Sequence, residues 1–142
     1  MHITLESDYA VRIVSCLVNE KKRLDAKAIA DKTNVTLRFA LKILRKLVAS
    51  GIVKSFKGTQ GGYELAKTPK EISLKDVIET VEGTYCLSRC LHGNYSCTSG
   101  QSGICCYQKV FSEISEIVQE KLSSYTFDMF NDAGINNCED KQ

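Results

Sequence analysis

The 142-residue sequence predicts a mainly α fold with a small β-hairpin wing: a winged helix-turn-helix domain followed by a long C-terminal dimerisation helix. Three observations predict it. Two short segments with helical apolar spacing, 26–33 and 36–50, meet at a tight turn, and the second has a basic outer face. Two short strand-like runs flank a Gly-rich turn directly afterwards, at 52–66. A segment at 107–125 then repeats apolar residues at three- and four-residue steps over about five turns. The expected organisation is a DNA-binding domain over 1–83, a cysteine-rich loop over 84–106, the dimerisation helix over 107–130 and a flexible tail over 131–142.

The first helix is expected over 5–19, where Tyr9, Ala10, Ile13, Val14, Cys16 and Leu17 form one apolar stripe. Cys16 lies in that stripe and reads as a small buried hydrophobe. Asp8 lies off it, near the helix start, where the dipole favours an acid. Asp25 has the chemistry of an N-cap for the helix over 26–33, and Asn34-Val35 ends that helix. Thr36 is the expected cap of the third helix, with Gly51 as its stop. Leu37, Ala40, Leu44, Leu47 and Val48 form its apolar stripe, and Arg38, Lys42, Arg45 and Lys46 its basic face.

A helix in this position enters the major groove of double-stranded DNA and presents its N-terminal residues to base edges. Those residues are Thr36, Arg38, Phe39 and Lys42. An ordinary amphipathic helix with solvated cations has the same pattern, so the wing matters. Strands at 52–56 and 63–66 around Lys57-Gly58-Thr59-Gln60-Gly61-Gly62 place Lys57, with Lys54 behind it, against phosphate or a narrow minor groove. The glycines suit a close approach to DNA and equally a hairpin that needs positive φ.

Ser73 and Asp76 have capping-box spacing and open a helix through Val81, buried through Leu74, Val77, Ile78 and Val81 and stopped at Gly83. In the last helix Tyr107, Val110, Phe111, Ile114, Ile117, Val118, Leu122 and Tyr125 form the apolar side. A homodimer is the natural use of such a helix, because a reader with one short recognition helix doubles its site by two-fold symmetry. Folding back on its own domain is the alternative.

Composition sets the class. Hydrophobic residues at 43% and charged residues at 25% are ordinary for a globular domain. Glu6, Asp8 and Arg12 interrupt the first 17 residues, so no signal peptide is expected; no run is long enough to cross a membrane, and the expected location is cytoplasmic. Residues 1–70 hold 14 Lys/Arg against 6 Asp/Glu, a net +8, whereas 71–142 hold 5 against 11, a net −6. A polyanion partner belongs on the first half. No acid–base or nucleophile constellation marks an enzyme.

Five of the seven cysteines fall between Cys86 and Cys106. In a reducing compartment, clustered cysteines bind metal or do redox chemistry. Six residues separate Cys90 from Cys97 and seven separate Cys97 from Cys105, wider than the paired knuckles of structural zinc and better suited to an iron–sulfur cluster. Cys86 and Cys90 could make one knuckle, but no second pair follows. A zinc-binding or thiol-based redox-responsive interaction protein without a cluster is therefore the alternative. The redox pair C-x-x-C is absent.

The stretches MHITLESDYAVRI, TLRFALKILRKLVASGIV, SFKGTQGGYELA and ISLKDVIETVEG, the pair Arg89-Cys90, and cysteines leading into a long helix together resemble the Rrf-two family of winged-helix iron–sulfur regulators, from residue 1 to about 130. The resemblance, to IscR-, NsrR- and RirA-like members, implies a homodimeric transcription regulator, usually a repressor, on a palindromic promoter site. Redox state, nitric oxide or iron supply would be sensed by a 2Fe-2S or 4Fe-4S cluster. It implies Cys90, Cys97 and Cys105 as ligands, and Asp8 of the partner subunit as the fourth, as in NsrR-like members. The His that IscR-like members place three residues after the third cysteine is Gln108 here, and the cysteine intervals are longer. His92, Cys86 and Cys106 remain as other fourth ligands.

Overall fold

A computed structural model describes residues 2–101 and 103–130 of the chain. The expected tail, with Cys138, lies outside the described residues. Among the described residues, five α-helices and one hairpin follow in order: α1 Leu5–Glu20, α2 Ala26–Thr33, α3 Leu37–Ala49, β1 Val53–Phe56, β2 Gly62–Leu65, α4 Leu74–Glu82 and α5 Cys106–Ser123.

Local chemistry sets most boundaries. Thr4, Asp25, Thr36 and Ser73 cap α1 to α4, each side chain accepting a main-chain N–H of the first turn. Ser73 and Asp76 form the complete reciprocal box. Between α2 and α3, Asn34 takes a left-handed φ of 54°, and Val35 N–H donates back to the Ala30 carbonyl. That reversal sets the two helices of the helix-turn-helix against each other.

The core is formed by Ala10, Ile13, Val14 and Leu17 of α1 against Ile29, Ile43, Leu44, Leu47, Val53 and Val77, all essentially inaccessible. Each fully buried aliphatic side chain contributes about 1.5–3 kcal/mol. Two details of the α3 stripe differ from expectation. Ile43 is buried, and Leu37 is 46% exposed. Leu37 opens the helix just after the cap and stays outside, while Val35, two residues earlier, is buried in the core.

The hairpin is antiparallel, pairing Val53 with Leu65 and Phe56 with Gly62. Leu24 adds a rung, exchanging main-chain hydrogen bonds with Tyr63 at 3.0 and 2.7 Å. This rung explains the last glycine of the turn. Gly62 has φ +140°, and a Cβ there would meet the Leu24 carbonyl oxygen at 2.5 Å. At Gly61 a Cβ would meet the Phe56 oxygen at 2.7 Å. Close packing within the protein thus requires both, whatever they meet outside it.

The helix expected over 107–130 ends at Ser123. The chain then turns back, because Phe127 is 1% exposed in the main core and its N–H donates to the Ile72 carbonyl at 3.0 Å. A buried aromatic outweighs continuation of a helix into a polar segment. Among the described residues no helix is long and apolar enough to cross a membrane.

Candidate DNA-reading face and thiol cavity

The outer side of α3 is open. Thr36, Arg38, Phe39 and Lys42 are all exposed, and Leu37, Arg38, Phe39, Leu41, Lys42 and Arg45 line a broad concavity of about 930 Å³. Thr36 is committed to capping, its hydroxyl accepting from Phe39 N–H at 3.4 Å. Phe39 meets the ring of Tyr9 edge-on at 5.9 Å between centroids. Lys42 is ion-paired with Glu6 of α1 at 3.0 Å, and Lys46 reaches the same carboxylate at 2.7 Å and the Val81 carbonyl at 2.9 Å. Among the described residues no ion pair engages Arg38, Arg45, Lys54 or Lys57, so these cations remain available to phosphate or base edges. Lys57 stands exposed at the tip of the hairpin.

The cysteine loop leaves α4 at Gly83, whose φ of 83° stops the helix. It makes one 3-10 turn at Arg89–Leu91 and, among the described residues, no further helix or strand before α5. Cys90, Cys97 and Cys105 line one cavity of about 260 Å³, together with His92, Tyr95 and Gln108. Cys86 instead faces a neighbouring cavity of about 510 Å³ with His2 and Glu82, and His92 borders both. Cys106 is exposed on the first turn of α5. The loop therefore separates the three expected ligands from Cys86 and Cys106.

The chemistry of the cavity suits a soft metal centre. Its donors are thiols, which favour zinc or iron–sulfur over hard cations. The Cys97 thiol is held below its usual pKa by the Ser99 hydroxyl, 2.9 Å away, and by the main-chain N–H groups of Gln101, Ser99 and Gly100. Cys90 Sγ lies 3.1 Å from the Ser88 hydroxyl. Among the described residues no three His, Cys, Asp or Glu side chains converge closely enough to hold a single ion. The three thiols stand around a volume rather than a point, an arrangement compatible with a multi-atom cluster.

Asp8 does not line this cavity in its own chain. It is 44% exposed on α1 and ion-paired with Arg12 at 2.7 Å, and the Arg12 guanidinium lies 5.5 Å from the centre of the Tyr9 ring.

One group of residues escaped the sequence reading. Gln108 Nε2 donates to the Cys90 carbonyl and its Oε1 accepts from Gly103 N–H, both at 3.0 Å. Ser115 Oγ accepts from Leu87 N–H at 2.9 Å, and Gln119 Nε2 donates to the Tyr85 carbonyl at 2.7 Å. Gln108, Ser115 and Gln119 recur on one side of α5 and fasten the strap 85–91 along it. Ser115 is the one buried residue among those described in α5. The available signal was a buried-side serine and glutamines inside an otherwise apolar stripe. On the opposite side Tyr107, Val110, Ile114 and Ile117 stay exposed at 70, 49, 37 and 65%.

A second link joins the loop to the front of the molecule. Glu82, the last residue of α4, accepts from Thr4 N–H at 3.2 Å, from the Thr4 hydroxyl at 2.5 Å and from the Ser7 hydroxyl. Ser7 is fully buried.

These elements define a winged helix-turn-helix protein carrying a thiol-lined loop against a helix whose other side is apolar and exposed. The chain belongs to the Rrf2 family, "Iron-dependent Transcriptional regulator", whose model matches residues 3–132. It is similar to the HTH-type transcriptional regulator NsrR of Bacillus licheniformis, 28% identical over 129 residues and covering 89% of each chain. Its fold is similar to that of T. potens IscR, with TM-score 0.67 at 22% identity over 90% of this chain and 84% of that one. It is also similar to that of CymR, the global cysteine regulator of B. subtilis, with TM-score 0.70 at 23% identity over 96% and 98%. The family is one of transcription regulators, not enzymes.

Proposed function

We propose that this chain is a homodimeric repressor that reads a palindromic promoter through α3 and the wing, and whose occupancy is set by an iron–sulfur cluster at Cys90, Cys97 and Cys105. The observation that carries this reading is the sharing of one cavity by those three thiols. When bound, such a cluster supplies chemistry that responds to redox state, nitric oxide or iron supply. Asp8 of a second copy is the proposed fourth ligand, because the carboxylate is exposed on α1 and outside its own chain's cavity. On this reading the cytoplasm, where thiols stay reduced, is its compartment.

The chain's own contacts suggest how the loop would reach the DNA face. Gln108, Ser115 and Gln119 couple the strap to α5, whose exposed apolar side is the proposed dimer seam. Glu82 couples the start of the loop to the first turn of α1, and Glu6 in that same turn holds Lys42 and Lys46 of α3. A loop that changed shape would alter both the seam and α1. The separation of the two α3 helices, which must match half-sites about 34–36 Å apart, would change with them.

Thiol switching without a cluster is the second reading. The lowered pKa of Cys97, beside the Ser99 hydroxyl at 2.9 Å, favours it. Footprinting on promoter DNA separates the two. Protection that changes when the protein is stripped of iron under anaerobic, thiol-reducing conditions supports the cluster. Protection that changes only on thiol oxidation supports the second reading.

A further inference from the structure

We propose that Arg23 is the positioning residue of the wing, fixing the tip so that Lys57 is presented to DNA phosphate. This rests on the DNA-reading function assigned to the hairpin. Arg23 lies in the connection between α1 and α2, outside the hairpin, yet its side chain touches every part of it. The guanidinium carbon lies 3.4 Å from the centre of the Phe56 ring at the end of β1. Nη1 donates to the main-chain carbonyl of Gln60 in the tip at 3.0 Å. Nε lies 3.5 Å from a carboxylate oxygen of Glu64 on β2.

Only a planar, multi-donor cation can make all three contacts at once. Stacking uses the face of the guanidinium, and the hydrogen bond and ion pair use its edge. The Gln60 carbonyl is the important partner, because it belongs to the turn itself. A two-stranded hairpin is marginal alone and its tip is the part most prone to fray. The Leu24–Tyr63 rung holds β2 opposite Ser55 but bonds no main-chain group of the turn 57–61, so within the dipeptide Arg23-Leu24 it is Arg23 that reaches the tip. Arg23 is itself about one-third exposed, and its charge is partly answered by Glu64, which fits a support better than a phosphate contact.

Arg23→Lys keeps the charge and removes the planar fork, and is therefore the informative variant. Two readouts test it, with melting temperature as the control for folding. First, amide hydrogen exchange at residues 57–61 should quicken several-fold in Arg23→Lys while α3 is unchanged. Unchanged exchange at the tip overturns the proposal, whatever the DNA result. Second, binding to a random-sequence duplex is followed against salt. Lys57→Ala should flatten the logarithmic salt slope by about 0.9, the loss of one phosphate contact. Arg23→Lys should flatten it as much, and the double variant no further. Additive losses would show that Arg23 acts separately from Lys57 and would overturn the positioning role. A wild-type slope for Lys57→Ala would instead refute the wing's phosphate contact, leaving the exchange result to decide the role of Arg23 in the tip.

Discussion

Gln108 of α5 holds the main-chain carbonyl of Cys90 at 3.0 Å, eighteen residues back along the chain. The same amide accepts Gly103 N–H, so one side chain closes the loop across its own cavity. A net hydrogen bond is worth about 0.5–1.5 kcal/mol. Gln108→Ala should therefore leave global stability nearly intact while loosening the loop. Alkylation of Cys90 in the metal-free protein should accelerate several-fold. An unchanged rate would mean that the loop is held by other contacts.

On DNA, Arg38 and Lys57 should behave differently. Arg38→Ala should cost about 1–3 kcal/mol on the cognate site and little on random sequence, if the guanidinium reads a base. Lys57→Ala should weaken both and flatten the salt dependence. Titrations of each variant against both duplexes at two salt concentrations check this. Equal losses on both duplexes for Arg38→Ala would reduce it to a phosphate contact. Lys42→Ala should have a mixed effect, since Lys42 also holds Glu6.

The exposed side of α5 gives a prediction about assembly. Ile117 is 65% exposed within its own chain, so Ile117→Glu should change monomer stability by no more than about 0.5 kcal/mol. It should nonetheless convert a dimer to a monomer in sedimentation. A dimer that survives Ile117→Glu with Ile114→Glu would place the seam elsewhere.

Glu82 ties α4 to α1 and should show in the acid stability of the fold. Burial raises its carboxyl pKa, but the Ser7 and Thr4 hydroxyls and the Thr4 amide outweigh burial and hold it below the ordinary value. A lowered carboxylate carries fewer protons folded than unfolded. Its contribution is therefore complete above the unfolded value of about 4.3 and is lost as pH falls through the lower folded value. Glu82→Ala also leaves the buried Ser7 hydroxyl without that acceptor, at a cost of about 1–3 kcal/mol. Denaturant melts at pH 7 and at pH 3 check both statements: the gap between wild type and variant should narrow in acid.

Much of this was legible because it is local. The caps Asp25, Thr36 and Ser73 each act within three residues, so the order of α1 to α4 and the wing could be read from the chain. The cysteines announced themselves by density. Partners distant in sequence were not legible. Gln108 reads as a helix-surface amide until the strap is seen to cross α5. Lys42 reads as a free cation until α1 brings Glu6 beside it. Phe127 reads as part of the dimerisation helix, whereas the core takes its ring. Leu37 satisfies helical spacing, yet it stands exposed while Val35 is buried. In each case the tertiary surroundings decided the outcome, and periodicity does not record them.

The most direct test is an iron and acid-labile sulfide count on protein purified without oxygen, for the wild type and for Cys90→Ala, Cys97→Ala, Cys105→Ala and Asp8→Ala. The cluster account predicts iron and sulfide together in the wild type, loss of both in each cysteine variant, and a less stable cluster in Asp8→Ala. Zinc without sulfide, no metal at all, or a full cluster retained in Cys97→Ala would contradict it.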